Sequence, residues 1–218
     1  MPLALIVHGG AGTIAPEHFA SARAGCHDAV LAGWRVLTAG GSALDAVQAA
    51  VVALEDNPAF NAGTGAVLTA DGRAQLDAGM MQGSDLAVGA VAGVERIKNP
   101  ILLARKVLHS PHALLAGPGA EQFALDHSLP LCDPEELVTP AQYARWRRGY
   151  VDGDDVHLDT ENLAELDSAP QRLAGVRLAG AVDDEHRHGT VGAVAVDGAG
   201  HVAAATSTGG IAAKYPGR

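Results

Sequence analysis

The chain has 218 residues, 48% of them apolar and 18% charged, which fits one globular domain with a sizeable core. A formal net charge of −10, with only 15 Lys and Arg, excludes the clustered bases that phosphate binding needs, and with them nucleic acid as a partner. Aromatics make up 4% beside 27 Gly, so the core is expected to be built from small aliphatic side chains, and no apolar run is long enough to span a bilayer.

Leu3 to Val7 is a short apolar run that stops at His8-Gly9-Gly10-Ala11-Gly12, a buried strand running into a glycine-rich turn. The dinucleotide spacing G-x-G-x-x-G is absent there. The N-terminus also lacks the basic stretch and apolar core of a signal peptide, so the expected compartment is the cytoplasm. From Phe19 to Thr38, the residues Cys26, Val30, Gly33, Trp34 and Leu37 recur at helical spacing, and Gly40-Gly41 ends the helix. Ser42 caps a second helix from Ala43 to Glu55 with Leu44, Val47, Val51 and Leu54 on one face. Pro58 closes it.

Asn61 to Gly65 reads as a tight turn. Ala66 to Thr69, the Asp71-Gly72 turn and Ala74 to Met80 then read as a β-hairpin. Leu86 to Val94 is a strand, Asn99-Pro100 opens a helix to about His109, and Ala113 to Ala116 is a short strand. Helices follow at Gly119 to His127 and at Pro140 to Arg148, the latter ending at Gly149. Residues 150–189 lose clean periodicity, and residues 151–189 hold 10 acids against 3 bases, a flexible acidic connection. His186-Arg187-His188 has no further ligand cluster beside it and is read as tuning the charge near the Gly189–Thr190 bond rather than as a metal site. Val191 to Val196, a turn at Asp197 to Gly200 and His201 to Thr206 form an apolar hairpin. Cys26 and Cys132 make neither a disulfide framework nor a metal-ligand spacing, and Cys26 reads as core. Strand hairpins with paired helices suggest helices layered on antiparallel sheet.

Chemistry concentrates after the acidic stretch. Thr190 follows Gly189 at the start of an apolar strand. A threonine hydroxyl is a weak nucleophile, but the α-amine of an N-terminal threonine can serve as its base. Cleavage before Thr190 would therefore activate it. Thr206-Ser207-Thr208-Gly209-Gly210 closes the paired strand, and Lys214-Tyr215-Pro216-Gly217-Arg218 ends in a residue suited to bidentate carboxylate binding. A nucleophile, a second hydroxyl and a carboxylate clamp point to hydrolysis of a substrate that carries a carboxylate.

These motifs resemble the plant-type (type 2) L-asparaginases that are also isoaspartyl peptidases, a family of N-terminal-nucleophile threonine hydrolases. Ile6-Val7-His8-Gly9-Gly10-Ala11-Gly12, Leu54-Glu55 through Pro58, Phe60-Asn61-Ala62-Gly63 with Gly65, Leu76-Asp77-Ala78, Gly89 to Val94 and Asn99-Pro100 carry the same likeness upstream. The resemblance implies an α+β fold, an αββα four-layer sandwich of the N-terminal-nucleophile hydrolase type. It implies an alpha-subunit region 1–189 and the start of a beta-subunit region at 190–218, within one structural domain, and a homodimer of processed protomers. It implies self-cleavage between Gly189 and Thr190, assisted by the loop of His8, Gly9 and Gly10. Thr190 would then attack asparagine or a β-aspartyl dipeptide, with Thr208 and Asn61 beside it and Arg218 on the substrate α-carboxylate. No cofactor is implied for catalysis, and a structural sodium ion would sit on the backbone carbonyls of Leu54, Glu55, Asn57, Phe60, Ala62 and Thr64.

The sequence ends at Arg218, whereas the family pattern continues with an aspartate that binds the substrate amine and a Thr-Gly pair that forms the oxyanion hole. A C-terminally truncated, inactive form is therefore the expectation for these 218 residues taken alone. Two alternatives stay open: a glycosylasparaginase of the same fold, whose pattern has aspartate where Gly189 stands, and a non-catalytic fragment acting only through association.

Overall fold

A computed structural model describes residues 1–12, 14–150 and 189–217. The expected linker and the His186-Arg187-His188 group lie outside the described residues, and so does Arg218. Strands β1 (Ala4–His8), β2 (Leu76–Gln82), β3 (Val88–Val94), β4 (Leu114–Ala116), β5 (Thr190–Val196) and β6 (Val202–Thr208) form one sheet in the order β1-β5-β6-β2-β3-β4. All neighbours are antiparallel except β3 and β4, which are parallel. Helices α1 (Phe19–Thr38), α2 (Ala43–Glu55), α3 (Pro100–Leu108), α4 (Gly117–Asp126) and α5 (Pro140–Tyr150) complete the regular elements. The architecture is the α+β one expected.

Alternation along the strands decides which face the helices cover. Val191, Ala193 and Ala195 of β5 and Ala203, Ala205 and Ser207 of β6 are buried beneath α2. Ala78, Met80, Val91 and Val94 are buried beneath α3. The other face carries Ile6, Val194, Val202 and Met81, which stay exposed, and at its β5–β6 end Thr190 and Thr208. One helix layer and one sheet are thus formed by the described residues.

The two long helices start and stop where their sequence says. Ser42 Oγ accepts the Asp45 N–H at 3.1 Å, capping α2. The buried stripe of α1 is Gly25, Ala29, Gly33 and Leu37, one position off the expected Cys26, Val30 and Trp34. The reason is the close approach of α1 to α2. A Cβ on Gly33 would lie 2.7 Å from the Ala46 carbonyl oxygen, so only the smallest residues fit the contact. Cys26 is half-buried at the margin.

The hairpin expected across residues 66–80 does not form. Leu68 and Ala74 make a single bridge, and Thr69 Oγ1 spends itself on the loop, donating to Asp71 Oδ1 at 2.5 Å. Residues 76–82 instead pair with β3 on one side and β6 on the other. A second bridge, Thr69 to Lys214, ties this loop to the segment after β6. Leu86 sits at φ 61° in the turn between β2 and β3, so that strand begins at Val88 rather than Leu86.

Candidate active site

Strand pairing alone brings the two threonines together. In the β5–β6 ladder Thr190 lies opposite Thr208, one pair beyond Val191 and Ser207. The Thr190 hydroxyl donates to Thr208 Oγ1 at 3.2 Å, and the Thr208 hydroxyl donates to the Gly189 carbonyl oxygen at 3.2 Å. The Gly210 N–H donates to Thr208 Oγ1 at 2.9 Å. A hydroxyl has one proton to give and two lone pairs to offer, so Thr208 is fully engaged. The polarity runs in one direction, from Thr190 through Thr208 to the carbonyl of the peptide that precedes Thr190.

Asn61 fixes the floor of this arrangement. It is 6% exposed; Oδ1 accepts the Val67 N–H at 2.9 Å, and Nδ2 donates to the Gly210 carbonyl at 2.6 Å. Its own carbonyl accepts the Gly209 N–H at 3.0 Å. Gly189 packs directly on it, since a Cβ on Gly189 would lie 2.6 Å from Asn61 Cβ. Gly10 closes from the other side: a Cβ there would lie 3.1 Å from Gly189 Cα and 3.6 Å from the Thr190 nitrogen, and its φ of 122° excludes most side chains in any case. Gly9 is crowded by Phe60 and Cys26. His8 is one ladder pair from Val7–Ala193, opposite Gly192, where its ring lies over the backbone. A cleft of about 500 Å³ opens beside Gly189, lined among others by Gly10, Ile14, Phe19, Arg23, Phe60 and Asn61.

The loop that runs into Asn61 is wound tightly on its own carbonyls. The Leu54 carbonyl accepts the Asn57 N–H at 3.3 Å, that of Asn57 accepts the Phe60 N–H at 3.1 Å, and that of Ala62 accepts the Gly65 N–H at 3.1 Å. A Cβ on Gly63 would run into the Glu55 carbonyl, and one on Gly65 into that of Phe60. Thr64 lies between those glycines in a single 3-10 turn. Of the six carbonyls expected to hold sodium, those of Leu54, Asn57 and Ala62 thus accept backbone N–H groups within the loop itself.

The side chains of two buried charged residues near the site carried no role in the sequence reading, which used only the backbone carbonyl of Glu55. Glu55 has 0% exposure; its Oε1 accepts the Ile101 N–H at 3.1 Å and caps α3 from outside that helix. Burial pushes its carboxyl up to about 8, against the pull of Ser207, the Ile101 N–H and Asn99. Lys214 has 1% exposure, and its ammonium donates to the carbonyls of Gln75 and Gly209. Burial brings its pKa down to about 8, against the raising influence of Asp77 and Glu95. No spacing marks either side chain in the sequence, because a lysine in a turn or a glutamate at the end of a helix is ordinarily solvated.

The comparisons with known proteins follow the same lines. The family model described as Asparaginase matches residues 1–218. The chain is 45% identical over 219 residues to a plant-type L-asparaginase of Pyrococcus abyssi, covering 99% of this chain and 66% of that protein. It is 43% identical to an isoaspartyl peptidase/L-asparaginase of Rattus norvegicus, covering 99% and 58%. It is 41% identical to an isoaspartyl peptidase of Salmonella typhimurium, covering 98% and 64%. The chain therefore spans about three fifths to two thirds of the length of the curated relatives it matches. No helix among the described residues is long and apolar enough to cross a membrane. The chain belongs to the asparaginase family.

Proposed function

From that membership we propose that this chain carries the nucleophile half of a self-processing threonine hydrolase that acts on L-asparagine, on β-aspartyl dipeptides, or on both. The observation that carries the reading is the directed chain from Thr190 Oγ1 to Thr208 Oγ1 to the Gly189 carbonyl. In self-cleavage the Thr190 oxygen attacks the Gly189 carbonyl carbon. Its proton passes to Thr208 while the Thr208 proton passes to the former carbonyl oxygen, so no full charge accumulates. Collapse breaks the Gly189–Thr190 C–N bond, the hydroxyl proton returns to the nitrogen, and an ester remains. Water hydrolyses that ester, leaving the Gly189 carboxylate and a free Thr190 amine.

The free amine then serves as base for the same hydroxyl. Thr190 attacks the side-chain amide of asparagine, or the isopeptide carbonyl of a β-aspartyl dipeptide, and the leaving amine departs with the proton. Water releases aspartate from the acyl-enzyme. Asn61 holds the Gly209–Gly210 turn against Thr208, and Arg218 is assigned the substrate α-carboxylate on the strength of the resemblance alone. Sodium held on the carbonyls of Leu54, Glu55, Asn57, Phe60, Ala62 and Thr64 would supply a fixed positive charge that rigidifies the loop bearing Asn61. His8, Gly9 and Gly10 are assigned to self-cleavage, and the crowding of Gly10 against Gly189 supports that assignment for Gly10.

The test is electrophoresis of the purified protein after long incubation, with N-terminal sequencing of the products. The expected result is two pieces, one ending at Gly189 and one beginning Thr-Val-Gly-Ala, with a single band for Thr190→Ala. Ammonia release from asparagine and leucine release from β-aspartyl-leucine then rank the substrates. A wild-type band that stays uncut after long incubation overturns the reading of Thr190 as a self-releasing nucleophile.

A further inference from the structure

We propose that Lys214 is a positioning residue of the threonine site, acting on Thr208 through the single peptide unit that joins Gly209 to Gly210. The inference rests on the reading of Thr190 as nucleophile and goes beyond it, because Lys214 touches neither threonine. The geometry is specific. The Lys214 ammonium donates to the Gly209 carbonyl, and the N–H of the same peptide group, that of Gly210, donates to Thr208 Oγ1 at 2.9 Å. A cation on the oxygen of an amide draws electron density toward that oxygen and makes the N–H a stronger donor. That N–H points at the oxygen which gains negative character as Thr208 gives its own proton to the Gly189 carbonyl oxygen. The ammonium thus stabilises the transfer from one peptide away.

The seat of Lys214 is built for holding a charge. Its backbone is pinned to the loop before β2: the Ala70 N–H donates to the Lys214 carbonyl at 2.9 Å and the Ala213 N–H to the Leu68 carbonyl at 2.8 Å. Its second acceptor is the Gln75 carbonyl, and the Gln75 side chain in turn accepts the Gly217 N–H at 2.8 Å and donates to Glu95 at 2.6 Å. Asp77 on β2 and Glu95 after β3 are the acids whose charge reaches the ammonium, and Glu95 is shared with the Arg73 guanidinium at 2.7 Å. If the position served packing alone, a methionine would fill the space without the desolvation that a buried ammonium demands. With Lys214 poised at about 8, the polarising charge is present at neutral pH and is lost as the pH rises through that value.

Two variants and one spectroscopic probe test this. Lys214→Met is expected to slow self-cleavage by about tenfold to a hundredfold, the scale of losing a supporting partner of a reactive group. The wild-type rate falls as the pH rises through about 8, and the Met variant lacks that alkaline limb. Lys214→Arg, which keeps its charge across the range, restores rate and moves the limb upward. The Gly210 amide proton, followed by NMR in uncut Thr190→Ala protein, is expected to shift across the same pH range and to stand still in the Thr190→Ala, Lys214→Met double variant. A folded Met variant with unchanged rate and pH profile overturns the proposal. If the wild type neither cuts itself nor turns over substrate, the parent reading has failed separately. The Gly210 titration then decides the question for Lys214, and a resonance that does not move sinks it.

Discussion

The two ends of the β5–β6 ladder are closed by opposite means. At the Val196–Val202 end the Asp197 carboxylate accepts the N–H groups of Ala43, Ala199 and His201 at 3.1, 3.0 and 2.9 Å. These three donors are all backbone amides, with the His201 ring 3.6 Å from the carboxylate. At the Thr190–Thr208 end the closing groups are hydroxyls, each donating a hydrogen bond to the next acceptor, with a cation one peptide behind them. One end fixes the hairpin to α2, and the other holds the hydroxyls in the register from which self-cleavage is proposed. A ladder seven residues long separates the anchor from the chemistry, so damage to either end should register in different measurements.

The largest break in that contrast is Thr208→Val, which keeps the shape and removes the hydroxyl. The strand pairing survives, but Thr190 loses its acceptor and the Gly189 oxygen loses its donor. Losing one such donor costs roughly 10²–10³ in rate. Self-cleavage, followed as the ratio of cut to uncut bands, should slow by that factor while the thermal midpoint hardly moves. Cleavage at the wild-type rate would show that the directed hydroxyl chain is incidental.

Gly189→Ala sharpens the point from the backbone side. The new Cβ would fall 2.6 Å from Asn61 Cβ. Asn61 is held by Val67, Gly209 and Gly210, so the lighter Gly189 segment is the one that yields. A shift on the order of 1 Å at a reacting carbonyl can cost about a hundredfold. The expected outcome is slow self-cleavage in a protein of nearly wild-type stability. An alanine variant that processes normally would place the scissile carbonyl elsewhere.

This end of the ladder was half legible in the sequence. Thr190 and Thr208 could be named because hydroxyls beside glycines stand out, whereas Asn61 read as a turn residue and came to the site through the family likeness alone. The α1 and α2 boundaries were legible from the Ser42 cap and the Gly40-Gly41 stop. What stayed hidden depends on contacts far apart in the chain. Lys214 reaches back 139 residues to Gln75, and Glu55 reaches forward 46 residues to Ile101. The hairpin expected at 66–80 failed for the same reason: the Asp71-Gly72 turn was real, but β2 found better partners in β3 and β6. In α1, Gly33 and Leu37 are buried as expected, but Cys26, Val30 and Trp34 were each one residue off the buried stripe, because periodicity favours large apolar side chains whereas the contact with α2 admits only small ones.

The smallest expected effect belongs to the anchored end. Burial alone would raise the Asp197 carboxyl, but the N–H groups of Ala43, His201 and Ala199, with the His201 ring beside it, hold it below the usual carboxylate range. The folded state therefore favours the charged form. The stability this contributes is present above the ordinary aspartate pKa and fades as the pH falls through the lower folded value. Asp197→Ala removes the acceptor of the Ala43 N–H at the start of α2, beside the Ser42 cap, and should cost about 1–2 kcal/mol at neutral pH. For a chain of this size that is a drop of roughly 2–4 °C in thermal midpoint per kcal/mol. The deficit should shrink on acidification, because the wild type then loses the same charge. Self-cleavage of the folded variant should stay within about twofold of wild type, a change worth only ~0.4 kcal/mol. If cleavage slowed in step with the thermal midpoint, the two ends of the ladder would be mechanically coupled. The separation of anchor from chemistry would then be wrong.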